Sequence, residues 1–154
     1  MERRRRLGEM TRQVVHLAHK EAAFFQHRDV RPEHLLLSIL AIPEAVGHRL
    51  LRRQGLNPQV VLREVVSQLF IGHTTDPQAI SLSTEARAVL DAAVTAAQLS
   101  GAPYVGTDHL LLGILDQSDS VASGVLLQLG LDSDLLRRQI VALYRDVGDS
   151  RPAK

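Results

Sequence analysis

Two carboxylate–histidine pairs, Glu33-His34 and Asp108-His109, carry the side chains of this sequence best suited to chemistry, and each is followed at once by three leucines. Matched histidines invite a metal reading, because neutral imidazole is a common ligand. Each stands, however, in a different copy of an internal repeat and directly before an apolar run that must be buried, which favours a structural hydrogen-bonding role for both. His16 and His19 lie three residues apart and could chelate a metal from one helix face. With no further ligand near them in sequence, an exposed helix face is the simpler reading, and no metal or cofactor is expected. The serines and histidines come without a nucleophile elbow or a His-Glu-x-x-His pattern. A Gly-x-x-x-x-Gly-Lys-Ser/Thr phosphate loop is absent too, the only lysines being Lys20 and Lys154. The sequence therefore gives no ground for an enzyme, and ATP hydrolysis by this chain is not expected.

The element that positions these pairs is the repeat itself. Residues 11–68 align without a gap onto 86–143 at an offset of 75, with 17 identities in 58 positions. The heart of the match sets Val30-Arg31-Pro32-Glu33-His34-Leu35-Leu36-Leu37-Ser38-Ile39-Leu40 against Val105-Gly106-Thr107-Asp108-His109-Leu110-Leu111-Leu112-Gly113-Ile114-Leu115. A gapless duplication of this length points to two copies of one supersecondary unit. An isolated unit of about 75 residues would be marginal, so the copies are expected to share one core.

Composition agrees with a folded soluble chain: 45% hydrophobic and 23% charged residues among 154. No cysteine is present, which excludes disulfides, thiolate metal sites and cysteine nucleophiles. No apolar run approaches the roughly 20 residues of a membrane span, and none follows the N-terminal arginines as a signal peptide requires. The chain is expected to be cytoplasmic. Net charge is +1, but Arg3-Arg4-Arg5-Arg6 supply +4, leaving the remainder at −3. A nucleic-acid binder would spread basic residues over a folded face, so the tetrad reads as a solvated tail, the alternative being a basic arm for nucleic acid, a membrane surface or an acidic partner.

Each repeat reads as four helices. Val14, Val15, Leu17, Ala18, Ala22 and Phe25 recur at three- and four-residue spacings, predicting a helix over 9–26 with one apolar face. Its twin is predicted over 83–99, with Ser83 or Thr84 as the cap and Glu85 in the first turn. Glu33 and Asp108 open the second helices, with Pro32 tolerated in a first turn and Thr107 available as a cap. The leucine-rich stretch that follows is apolar nearly all round, as befits the buried centre of a repeat. Third helices are predicted to end at Gly55 and Gly130, with Leu56 and Leu131 packing back. Asn57-Pro58 and Asp132-Ser133 then cap fourth helices ending near Leu69 and Leu143. No segment alternates as a strand does. The expected fold is all-α: two tandem, pseudo-two-fold-related four-helix repeats packed as one compact domain. Its parts would be a basic tail over 1–8, repeat one over 9–70, a linker over 71–81, repeat two over 82–147 and a flexible tail over 148–154.

The doubled pattern of a helix, then Val-x-x-Glu/Asp-His-Leu-Leu-Leu-x-Ile-Leu, then a Leu-Gly-Leu step resembles the N-terminal repeat domain of the Clp ATPases, ring-forming unfoldases that feed a peptidase. The copy from Val105 to Leu115 is especially similar to the bacterial ClpC version, and the likeness extends over about 9–143. The resemblance implies a substrate- and adaptor-docking module, a Clp N-domain, in place of a motor. In ClpC-type domains, the carboxylate before the motif histidine and a hydroxyl residue at the start of the first helix are associated with phosphoarginine on tagged substrates. A carboxylate suits a guanidinium, while a hydroxyl and helix N-terminal amides suit a phosphate. By position, the second repeat keeps Ser83, Thr107 and Asp108, whereas the first keeps Glu33 but has Gly8 and Pro32 at the other two places. Leu7 and Leu82 stand where the family often has an aromatic residue. Glu33, Ser83, Thr107, Asp108, Leu7 and Leu82 are thus the candidate ligand-binding residues. The other reading is that Glu33 and Asp108 only stabilise helix N-termini through the dipole.

Paired sites are expected where the helix starts near Leu7-Gly8 and Leu82-Ser83 approach the Glu33 and Asp108 turns. They should be inequivalent, with the second repeat holding the better one. The expected partners are protein substrates, adaptors or tagged peptides, phosphoarginine-bearing ones among them, and a Clp ATPase or peptidase. Neither a membrane nor nucleic acid is expected. The function anticipated is a stand-alone recognition protein of the Clp system. The alternatives are the N-terminal piece of a longer ClpC-type unfoldase and an accessory subunit on the peptidase ring.

Overall fold

A computed structural model describes residues 6–74 and 76–149, the last four of them by backbone only. Arg3, Arg4, Arg5 and residues 150–154 of the expected tails lie outside the described residues. Eight helices are found among those described. The first repeat contains α1 (Glu9–Phe24), α2 (Pro32–Ala41), α3 (Val46–Arg53) and α4 (Pro58–Ser67). The second contains α5 (Thr84–Ser100), α6 (Thr107–Asp116), α7 (Val121–Gln128) and α8 (Ser133–Asp149). None is long and apolar enough by itself to cross a membrane.

α2 and α6 form the centre, packed on α1 and α5 respectively and touching each other. Leu35, Leu36 and Ile39 of α2, and Leu110, Leu111 and Ile114 of α6, are fully buried. At roughly 1.5–3 kcal/mol for each large aliphatic side chain, these six are a major part of what holds the repeats together. The repeats also interlock at their edges, where α3 packs on α6 and α4 on α7.

Local chemistry sets the helix ends. Asn57 accepts from Gln59 N–H, Ser83 from Ala86 N–H, Ser120 from Ser123 N–H and Asp132 from Leu135 N–H. Gly55 and Gly130 adopt φ of +84° and +101° just beyond α3 and α7. α1 stops at Phe24, two residues short of the predicted end, because Gln26 takes a left-handed φ of +57° at the place where Gly101 closes α5. α8 runs six residues past the predicted Leu143, so the expected tail from Gly148 begins within a helix.

Two short parallel pairings were invisible to a period-two search. β1 (Asp29–Val30) pairs with β2 (Ser81–Leu82), and the matching bridge joins Leu7 to Val105. Leu7 and Gly8, expected to be tail, are therefore held: Val105 N–H donates to Arg6 O, and Gly8 N–H to Val105 O, both at 2.9 Å. Within the linker, Gly72 N–H donates to Phe25 O, and Asp76 caps a 3₁₀ turn at Pro77–Ala79.

Candidate functional site

The strand pairings decide which helix start meets which carboxylate. Ser83 N–H donates to Val30 O at 2.9 Å, so the start of α5 sits on the turn leading to Glu33. Gly8 makes the equivalent bond to Val105, so the start of α1 sits on the turn leading to Asp108. The two repeats exchange their helix starts. The expected partnership of Ser83 with Asp108 is thereby corrected, since Ser83 belongs with Glu33, and Asp108 faces the end that has glycine in place of a hydroxyl.

Each crossing makes a cleft, and the two clefts are related by the repeat. The first, of about 620 Å³, is bounded by Asp29, Arg31, Pro32 and Glu33, by Glu85 of α5, and by the α6–α7 connection from Asp116 to Val121. The second, of about 280 Å³, is bounded by residues 8–11, Glu44, Val46, residues 103–107 and Tyr144. Asp29, Arg31, Pro32, Glu85, Asp119 and Val121 correspond at the 75-residue offset to Tyr104, Gly106, Thr107, Met10, Glu44 and Val46.

Glu33 is only 6% exposed, yet no side chain hydrogen-bonds or pairs with it among the described residues. Arg31 is its nearest candidate, but the Arg31 guanidinium engages Asp29 at 3.0 Å and lies over the Phe70 ring. Burial pushes the Glu33 carboxyl above the usual range. Its own backbone N–H and the charges of Arg31 and His27 oppose the rise, and Glu85 adds to it. The first cleft thus holds five carboxylates, of which Asp29 is paired with Arg31 and Asp116 with Arg137, leaving Glu33, Glu85 and Asp119 without an ion pair among the described residues.

Asp108 is placed differently. It is fully buried and does not line the second cleft. Tyr144 of α8 donates to its Oδ2 at 2.7 Å, and Oδ1 has no hydrogen-bond partner among the described residues. Oδ1 rests over the Cα of Gly106, where any Cβ would collide with it. Residue 31 carries a Cβ at the corresponding place, which leaves no such berth in the first repeat. His109 Nδ1 stands 3.4 Å from Oδ1, but that nitrogen accepts from Gly106 N–H at 2.9 Å. With its one lone pair taken by Gly106, that nitrogen has no proton to give Asp108, and the contact is not an ion pair while the ring is neutral.

Thr107 is the first residue of α6, not its cap. Gly106 occupies the cap position, and the Thr107 hydroxyl accepts from Gly47 N–H at 2.8 Å, tying α3 to α6. Ser83 is 6% exposed and its hydroxyl is committed to capping α5. Leu7 and Leu82 pack partly buried against the core, and neither lines the cleft at its own crossing.

The motif histidines close the helix starts. Arg31 N–H donates to His34 Nδ1 at 2.8 Å, so the proton sits on Nε2, which donates to His27 Nδ1 at 2.8 Å. His27 Nε2 in turn donates to Phe70 O at 2.6 Å, fastening the last residue of repeat one to the turn that follows α1. Burial, with the nearby charges of His27 and Arg31, lowers the His34 pKa to about 4. In the second repeat Ser100 replaces this relay, lying 3.0 Å from His109 Nε2. No cluster of three potential metal ligands occurs among the described residues.

Sequence reasoning missed Tyr144, Glu85, Asp116 and Asp119 as site residues. The acidic loop 116–119 was open to a charge count, but Tyr144 aligns with Leu69 and carries no signal in the repeat.

The family model of the Clp repeat (R) N-terminal domain matches residues 6–129 and 81–147, and the chain belongs to that family. It is 31% identical over 138 residues to the negative regulator of genetic competence ClpC/MecB of Bacillus subtilis, covering 90% of this chain and 17% of that protein. It is 37% identical over 133 residues to a probable ATP-dependent Clp protease ATP-binding subunit of Chlamydia pneumoniae, covering 84% of this chain and 16% of that protein. The chain therefore spans about a sixth of the length of these relatives. Among solved structures it is similar to the ClpV N-domain in complex with a VipB peptide, with a TM-score of 0.77 and 20% identity over 92% of this chain and 88% of that one.

Proposed function

We propose that the chain is a non-catalytic recognition domain that binds peptide segments, degradation tags or adaptors for a Clp unfoldase–peptidase system. The observation that carries this reading is the first cleft, where a buried carboxylate without a side-chain partner stands where the start of α5 meets the turn into α2. The peptide held by a ClpV N-domain of the same fold supports it. The recognition surface is the same whether the domain acts alone or leads a motor. Glu33 and the start of α5 at Ser83 are the proposed core of the site. Phosphoarginine is the finer reading that the ClpC likeness brings. The Glu33 carboxylate suits its guanidinium half, but around the Ser83 hydroxyl and the Arg31 guanidinium, which Asp29 already partly neutralises, its phosphate would meet the carboxylates of the cleft.

Purified unfoldase, peptidase, adaptor proteins and fluorescent peptides of an unfolded substrate, each offered separately to the immobilised chain, test the reading. Retention of an adaptor or peptide, weakened in Glu33→Gln, is the expected result. Retention of the peptidase alone would overturn it in favour of an accessory role on the peptidase ring.

A further inference from the structure

The two clefts descend from one duplicated element, yet their chemistry has diverged. Glu33 reaches a large acidic cleft. Asp108, one methylene shorter, is drawn over Gly106 and held by Tyr144. Resting on the recognition reading above, we infer that the first cleft binds an unphosphorylated basic side chain, arginine or lysine, of an extended peptide, and that it is the only such site among the described residues.

Three observations lead there. The cleft carries a formal excess of negative charge, and Glu85 and Asp119 form no ion pair among the described residues. Glu33 is more than nine-tenths buried in the wall of the cleft without a cationic partner, a costly arrangement that an incoming ammonium or guanidinium relieves. No three of the cleft's carboxylates among the described residues form a group that could hold a metal ion, so a cation carried on a flexible stem to Glu33 fits better than a bare ion. A phosphate carried into the same space meets like charge on most sides. At about 620 Å³ the cleft has room for a long side chain with its flanking backbone. The second cleft offers no equivalent, because Asp108 is fully buried, takes Tyr144 on Oδ2 and does not line it.

Calorimetric titration of the full chain with three short Gly/Ser peptides tests the inference, one bearing paired arginines, one phosphoarginines and one glutamates. The arginine peptide is expected to bind one to one, more weakly as salt rises, and about tenfold more weakly to Glu33→Gln. The cleft-edge double variant Glu85→Gln, Asp119→Asn should weaken it too, with the fold checked by circular dichroism in both cases. The phosphoarginine peptide should bind at least about tenfold more weakly than the arginine one. Phosphoarginine binding as tight as arginine binding overturns the inference, as does a stoichiometry of two or an affinity unmoved in both variants. If no peptide binds while an adaptor is retained in the preceding experiment, the cationic ligand falls and the recognition reading stands. Loss of both removes both.

Discussion

The Tyr144 hydroxyl donates to Asp108 Oδ2 at 2.7 Å, joining the last helix to the start of the motif helix in the same repeat. The Tyr144 ring also stacks on His109, with centroids 5.3 Å apart. α8 reaches this point because it spans 17 residues, against 10 for α4. The residue matching Tyr144 in the first repeat is Leu69, which has no hydroxyl to give. One aromatic residue thus separates a closed site from an open one.

Tyr144→Phe removes the hydroxyl that donates to a fully buried carboxylate while keeping the ring stack. The expected loss is about 1.5–3 kcal/mol, seen as a fall of several degrees in melting temperature. Burial, then the charge of Asp108 and the bond to it, raise the Tyr144 pKa above the ordinary tyrosine value. The folded state therefore keeps this proton longer than the unfolded one. The bond's contribution is present below the unfolded value of about 10 and fades as pH climbs beyond it. Equal alkaline stability profiles for the wild type and Tyr144→Phe would count against this account.

Gly106→Ala should break the same bond from the opposite side. The backbone at Gly106, φ −97° and ψ 174°, is open to any residue, so the obstacle is the contact of a new Cβ with Asp108 Oδ1. The carboxylate must swing away from Tyr144. The two substitutions are therefore expected to be non-additive, with a coupling on the order of 1 kcal/mol in a double-mutant cycle of chemical denaturation. Additive losses would mean that Gly106 is needed for some other reason.

The duplicated core was legible because burial writes a periodic pattern: Leu35-Leu36-Leu37 and Leu110-Leu111-Leu112 announce the central helices on sight. The caps at Asn57, Ser83 and Asp132 were legible because their geometry is local. The exchange of helix starts was not. It rests on strands of two residues, too short to alternate, and on a bridge at Leu7 in what reads as a charged tail. A gapless repeat naturally suggests that Ser83 and Asp108 of one copy belong together, whereas the chain path sets each beside the other copy. Thr107 misled for a related reason: its hydroxyl serves Gly47, 60 residues away, and not the helix it begins.

Two glycines should respond in opposite ways to the same change. Gly113 lies where α6 crosses α5, and an added Cβ would drive into the backbone oxygen of Val89. Backbone cannot step aside as a side chain can, so Gly113→Ala should cost about 1–3 kcal/mol through separation of the two helices. Gly124 in α7 is exposed, and nothing lies within 4 Å of the place a methyl group would take there. Gly124→Ala should stabilise by about 0.5–1 kcal/mol by helix propensity alone. Urea melts of the two variants beside the wild type read both signs, and a destabilised Gly124→Ala would contradict the open surface there.

Acid should loosen the first repeat through His34. This ring is fully buried, with Nδ1 accepting from Arg31 and Nε2 donating to His27, so a second proton has no acceptor. Its pKa of about 4 lies below the 6.5 of an unperturbed histidine. The unfolded chain therefore binds a proton that the folded chain refuses. The stability tied to the neutral ring is complete above pH 6.5 and drains away as pH falls toward 4, by up to about 3 kcal/mol. Glu33 and Glu21, both raised by burial, work in the opposite sense and reduce the net slope. His34→Gln can still accept the Arg31 N–H but does not titrate. Its unfolding free energy, measured from about pH 7 down to about pH 4, should fall less steeply than that of the wild type, and parallel curves would show that the histidine relay is not what acid attacks.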